Sequence, residues 1–135
     1  MTKGDTPLEL LEAARQAAAH AYAPYSRFAV GAAVETSDGR VFVGANMENA
    51  SYGLTSCAEV GALQAATTAG ALDRVCRIAI VGPKAPAPCG RCRQLLSEAA
   101  SLGGNDIEVW FSDPDSRVIE RRTTQDLLPD AFDLG

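Results

Sequence analysis

Cys57-Ala58-Glu59 and, further along, Pro88-Cys89-Gly90-Arg91-Cys92 are the residues of this chain best suited to do chemistry together. Three cysteines can give three thiolates to one Zn²⁺ and leave its fourth tetrahedral position open to water. That is the pattern of a catalytic zinc, whereas a structural zinc closes with four protein ligands. Glu59 lies two residues after the first candidate ligand, near enough to handle protons without binding the metal. Three ligands, an open position and an adjacent carboxylate read as zinc-assisted hydrolysis.

Each piece has a plainer reading when taken alone. Ser56-Cys57-Ala58-Glu59 is also a capping box, in which Glu59 only supports a helix start. Cys89-Gly90-Arg91-Cys92 alone resembles a redox dithiol, yet Cys57 and Glu59 would then be idle. A structural zinc needs a fourth ligand, and Cys76 is the one cysteine left. It opens an apolar stretch and reads as a small buried hydrophobe. His20, the single histidine, sits among alanines and reads as structural.

The elements that must position these residues follow from pattern and punctuation. Thr6-Pro7-Leu8-Glu9 offers a cap, a first-turn proline and a capping box. Leu8, Leu11, Ala14, Ala18 and Tyr22 recur at helical spacing, and that helix should end before Pro24. Strands are expected over residues 28–36 and 41–46, joined by a hairpin turn at Ser37-Asp38-Gly39-Arg40. A loop over 46–56 leads to a helix over 57–69, stopped by Gly70. Residues 77–81 read as a strand buried on both faces. A Pro-rich loop over 82–88 precedes a helix over 89–100 that stops at Gly103-Gly104. Strands over 107–112 and 117–122 are too close in sequence for a parallel crossover and should pair antiparallel. A short helix over 124–128 leads to Phe132. This order implies a mixed sheet covered by helices. Both cysteine segments fall where loop becomes helix. The free N–H groups and partial positive charge there favour thiolates. Cys89 and Cys92 are one turn apart, so two helix N-termini should lie side by side with the zinc between them.

Length and charge narrow the function further. A chain of 135 residues with 47% hydrophobic content makes one ordinary domain, expected to span 1–135. It has no apolar run long enough to cross a membrane. Met1-Thr2-Lys3-Gly4-Asp5 is not followed by the apolar stretch of a secretory signal, so cytoplasmic residence and reduced thiols are expected. The formal charge of −5 and pI near 4.8 oppose polynucleotide binding and favour a small neutral substrate.

Cys-Ala-Glu with Pro-Cys-x-x-Cys resembles the zinc-dependent deaminases, whose non-ligand Glu acts as general acid and base. The chain is most similar to the small homotetrameric cytidine deaminase family. Further matching segments are Tyr25-Ser26-Arg27-Phe28, Val30-Gly31-Ala32-Ala33, Asn46-Met47-Glu48-Asn49-Ala50, Cys92-Arg93-Gln94 and Leu127-Leu128-Pro129-Asp130-Ala131-Phe132. The resemblance implies a three-layer α/β/α sandwich with a mixed five-stranded sheet. It also implies one zinc per subunit on Cys57, Cys89 and Cys92, and attack of an activated water on C4 of the pyrimidine. Glu59 would move protons from that water to N3 and to the leaving amine. Asn46 and Glu48 would hold the ribose 3′-hydroxyl, Phe28 would pack on the base, and Ala58 would offer backbone contacts to the ring. Tyr52 would line the pocket or a subunit interface, and Phe132 would close a neighbouring subunit's site. Products would be uridine or deoxyuridine and ammonia, in pyrimidine salvage.

One departure stands out. Many family members follow Cys-Ala-Glu with an arginine that contacts the cysteine sulfurs, and here Val60 stands in its place. A zinc with three thiolates carries formal charge −1, so Arg91 becomes the candidate for charge compensation. The same two features, Val60 and Pro-Cys-Gly-Arg-Cys-Arg-Gln, also resemble deaminases of cytosine nucleoside antibiotics such as blasticidin S. Asn46 and Glu48 favour an ordinary ribose instead. A zinc-binding interaction module without catalysis is the remaining alternative.

Overall fold

The computed structural model describes residues 5–134. Residues 1–4, which carry most of the leader expectation, lie outside the described residues. The elements are α1 (Leu8–Ala18), β1 (Gly31–Thr36), β2 (Val41–Ala45), α2 (Ala58–Thr68), β3 (Val75–Val81), α3 (Gly90–Gly103), β4 (Glu108–Ser112), β5 (Ile119–Thr123) and α4 (Thr124–Leu127). The sheet order is β2-β1-β3-β4-β5. Its β3–β4 pair is parallel, and its other pairs are antiparallel.

Side-chain alternation along β1 and β3 divides the core into two layers. Ala32, Val34, Ile78 and Ile80 face α2 and α3, packing on Ala62, Leu63, Ala66, Leu96 and Ala99. Ala33, Ala79, Val81 and Trp110 face α1, packing on Leu10, Leu11 and Ala14. The result is the expected α/β/α sandwich with a mixed five-stranded sheet. Two glycines let the helices come close. A Cβ on Gly31 would stand 2.0 Å from the Ala14 carbonyl oxygen of α1, and one on Gly44 would stand 2.4 Å from that of Ala58 in α2.

Several boundaries differ from the sequence pattern for identifiable reasons. Pro7 is the N-cap of α1 and no side chain caps it, so the Thr6/Glu9 box does not form. The buried face of α1 is Leu10, Leu11, Ala14 and Ala17, while Leu8 and Tyr22 are exposed. α1 stops at Ala18, and Tyr22 instead trades backbone hydrogen bonds with Asn46 and Glu48. His20 therefore lies beyond the helix and is exposed. β1 begins at Gly31 because the Phe28 carbonyl and the Val30 N–H are taken by the Asn46 side chain, not by a neighbouring strand. Cys76 is half-buried, its Sγ 3.4 Å from the Glu35 carbonyl oxygen. Gly39 and Gly104 adopt positive φ at the hairpin turn and the α3 C-cap, where the sequence placed the stops.

Candidate active site

The first turns of α2 and α3 bring the reactive groups together. Cys57 is the N-cap of α2 and Cys89 the N-cap of α3, and no side chain caps either helix. The capping-box reading of Glu59 is thereby excluded. Its side chain turns inward and the residue is 5% exposed. Cys92, in the first turn of α3, is fully buried. The three Sγ atoms lie within 4.8 Å of one another.

This spacing fits a zinc ion. Zinc–sulfur bonds of about 2.3 Å at tetrahedral angles put two sulfurs roughly 3.8 Å apart. The Cys57 and Cys89 sulfurs stand 3.8 Å apart. The donor set is also suitable, since thiolates are soft ligands that zinc accepts. Hydrogen bonds to its sulfur from Cys92, and then from Cys89, lower the Cys57 thiol from 9.0 to about 6, and the charge of Arg91 acts in the same direction. The reciprocal bond to Cys57 and burial push the Cys92 thiol up. Burial raises the Glu59 carboxyl from 4.5 to about 7, helped by the charge of Cys57. Such a value suits a group that must both take and give a proton near neutrality.

A cavity of about 180 Å³ opens onto this cluster, bounded by Val30, Asn46, Cys57, Ala58, Glu59 and Cys89. Pockets for drug-sized ligands span roughly 300–1,000 Å³, so this one has room for a single ring, with any sugar at its mouth. A larger hollow of about 660 Å³ lies between α3, α4 and residues 130–133 and includes none of the cysteines. Size alone would point away from the chemistry.

The other expected residues divide into two groups. Asn46 and Ala58 line the cavity. The Asn46 amide is already engaged, donating to the Phe28 carbonyl at 2.8 Å and accepting from the Val30 N–H at 2.9 Å. Glu48, Phe28, Tyr52 and Phe132 stand outside the cavity in the single chain. Both oxygens of Glu48 accept hydrogen bonds from residues 25 and 26. Phe28 is 38%, Phe132 71% and Tyr52 87% exposed, high values for aromatic rings. Arg91 borders a groove with Val60, Gln64 and Glu98 on the outer side of α2 and α3.

Two contributions escaped the sequence reading. The Pro-rich loop before Cys89 forms a cavity wall through Pro86 and Ala87. Arg93 donates to the Pro88 carbonyl at 2.7 Å and to the Leu127 carbonyl at 3.2 Å, which fastens the residue before Cys89 to α4. The sequence marked the loop only as rich in proline, and nothing in it paired Arg93 with residue 127.

Comparison with known proteins agrees with this geometry. The model for the cytidine and deoxycytidylate deaminase zinc-binding region matches residues 5–102. A cytidine deaminase of Mycobacterium tuberculosis is 47% identical over 123 residues, covering 90% of this chain and 85% of that one. One from Halalkalibacterium halodurans is 45% identical over 124 residues, covering 91% of each. The crystal structure of cytidine deaminase from Burkholderia pseudomallei superposes with a TM-score of 0.85 at 47% identity, over 94% of this chain and 99% of that one. With its paired helix N-termini, three clustered thiols and inward-turned glutamate, the chain belongs to the zinc-binding cytidine and deoxycytidylate deaminase family.

Proposed function

We propose that this chain hydrolyses cytidine and deoxycytidine to uridine and deoxyuridine, releasing ammonia. One observation carries the reading: a buried carboxyl, Glu59, shares a ring-sized cavity with three thiols gathered at two helix N-termini. Zinc held by Cys57, Cys89 and Cys92 supplies the Lewis acidity that activates water. Glu59 takes a proton from that water and delivers it to N3 of the ring. As the water oxygen bonds C4, its remaining proton passes by way of Glu59 to the amine, whose bond to C4 breaks, so that one water enters and one ammonia leaves. The walls at Val30, Ala58 and Pro86 exclude other water and hold the ring flat beside Glu59.

The remaining assignments belong to the same reading. Glu48 and Asn46 meet the ribose, and Phe28 packs on the base from the mouth. Arg91 offsets the charge of the thiolates. Its guanidinium makes no hydrogen bond or ion pair among the described residues, and its field already acts on the Cys57 sulfur. Tyr52 and Phe132 are exposed because they close sites across subunit boundaries of a homotetramer. The chain works as one domain, in the cytoplasm, in pyrimidine salvage. No helix among the described residues is long and apolar enough to cross a membrane.

Ammonia release from cytidine by the zinc-loaded protein, with Glu59→Gln beside it, tests the reading. Turnover by the wild type and a loss of at least about 100-fold in the variant are expected. An inactive wild type that turns over blasticidin S would transfer the assignment to the antibiotic deaminases, and equal rates in the two proteins would remove Glu59 from the chemistry.

A further inference from the structure

The loop between α1 and β1 is held by the two residues read above as sugar contacts, and one serine joins its parts. Asn46 ties down Phe28 and Val30 from one side. On the other side, Glu48 Oε1 accepts from the Tyr25 N–H at 2.9 Å and the Ser26 N–H at 3.1 Å, and Oε2 accepts from the Ser26 hydroxyl. The same hydroxyl accepts from the Phe28 N–H at 3.0 Å. Between Ser26 and Phe28, Arg27 sits at φ 58°, a conformation a non-glycine residue keeps only when its surroundings fix it. Its N–H closes back on the Ala23 carbonyl at 2.9 Å.

The hydrogen-bond inventory of Ser26 makes this arrangement specific. A hydroxyl has one proton to give, and here it goes to Glu48 while a lone pair receives Phe28. A carboxylate offers about four acceptor sites. Three are filled by Tyr25 and Ser26, so Glu48 cannot rotate freely and has one site left to offer. The backbone of Phe28 is fixed at both ends, its N–H by Ser26 and its carbonyl by Asn46. Ser26 also holds the Glu48 carboxyl below its usual range and so keeps it an acceptor.

We propose that Ser26 is a positioning residue for the nucleoside. Its hydroxyl ties the carboxylate of Glu48 to the backbone that carries the Phe28 ring, so that sugar and base are gripped in one register. This rests on the reading of Glu48 and Phe28 under Proposed function. Ser26 itself touches neither the reacting atoms nor the zinc.

The test compares Ser26→Ala and Ser26→Thr in zinc-loaded protein, with cytidine and 3′-deoxycytidine as substrates. Ser26→Ala should raise KM for cytidine about tenfold with kcat within about twofold, the signature of lost binding without lost chemistry. It should also shrink the preference for cytidine over 3′-deoxycytidine by about fivefold or more, because a loosened carboxylate no longer rewards the hydroxyl. Ser26→Thr, which keeps the hydroxyl, should restore both, and zinc content should equal that of the wild type in each variant. Unchanged KM in Ser26→Ala, a fall confined to kcat, or equal losses on the two substrates would overturn the proposal. A wild type inactive on both substrates would refute the underlying functional reading instead, and this inference with it.

Discussion

Gly44→Ala is a single-methyl change outside the cavity that should disable the site. Gly44 lies on the edge strand β2, facing α2. A Cβ there would stand 2.4 Å from the Ala58 carbonyl oxygen, 2.4 Å from the Ala62 nitrogen and 2.9 Å from the Gly61 carbonyl carbon. All three are helix backbone, so no side chain can swing away. Ordinary van der Waals contact begins at 3.4 Å, so strand and helix must separate by about 1 Å. The part of α2 that is struck is its first turn and a half, which carries Cys57 at the N-cap and Glu59 just inside. Overpacking of this kind costs on the order of 1–3 kcal/mol. A misplacement of about 1 Å at catalytic groups costs about 100-fold in rate. The expected outcome is a folded protein with a lower urea midpoint, weaker zinc retention and kcat/KM for cytidine down by about 100-fold. Gly53→Ala is the control, since a Cβ there meets nothing within 4 Å. Gly61→Ala is the graded case, with Gly44 Cα at 3.4 Å, and should lose only a few-fold. Wild-type turnover in Gly44→Ala would mean that β2, free on its outer edge, moves and the helix does not. That result would refute the claim that this glycine fixes the position of the catalytic turn.

Two further outcomes follow from the electrostatics. Arg91→Ala should weaken zinc affinity by about tenfold, in the range usual for groups supporting metal ligands, whereas the exposed Arg117→Ala should not; competition with a chromogenic chelator measures both, and equal affinities would remove Arg91 from the site. In chelator-treated protein, Glu59 should make stability fall as pH rises. Its carboxyl is raised from 4.5 to about 7, so between those values the folded chain keeps a proton that the unfolded chain has released. The stabilisation is complete below about pH 4.5 and lost through pH 7, at most about 3 kcal/mol. Urea titrations of chelated wild type and Glu59→Gln at pH 5 and pH 7 check it, and parallel changes in the two would contradict it.

What could be read from the chain and what could not separate along a physical line. Local chemistry was legible. Asp38-Gly39 and Gly103-Gly104 mark their turn and stop because only certain residues tolerate those backbone angles. Asp113 to Ser116 is too short for anything but an antiparallel return. Cys89 and Cys92 share a helix face because one turn separates them. Non-local competition for backbone groups was not legible. The sequence pattern favours helix up to Pro24 and strand from Phe28, yet Tyr22, Phe28 and Val30 give their backbone groups to residues 46–48. The same long-range contacts decide the site. Asn46 and Glu48 read as residues waiting for a sugar, but in the folded chain they first hold the loop that carries Phe28. A residue can serve substrate and scaffold together only if its donors and acceptors outnumber its structural bonds. Glu48 has one acceptor site to spare, and Asn46, with one N–H given to Phe28 and one lone pair taken by Val30, keeps a second N–H and a second lone pair. Both residues therefore keep polar capacity beyond the scaffold, Glu48 as an acceptor and Asn46 as donor and acceptor, which is what the proposed grip on a sugar hydroxyl requires.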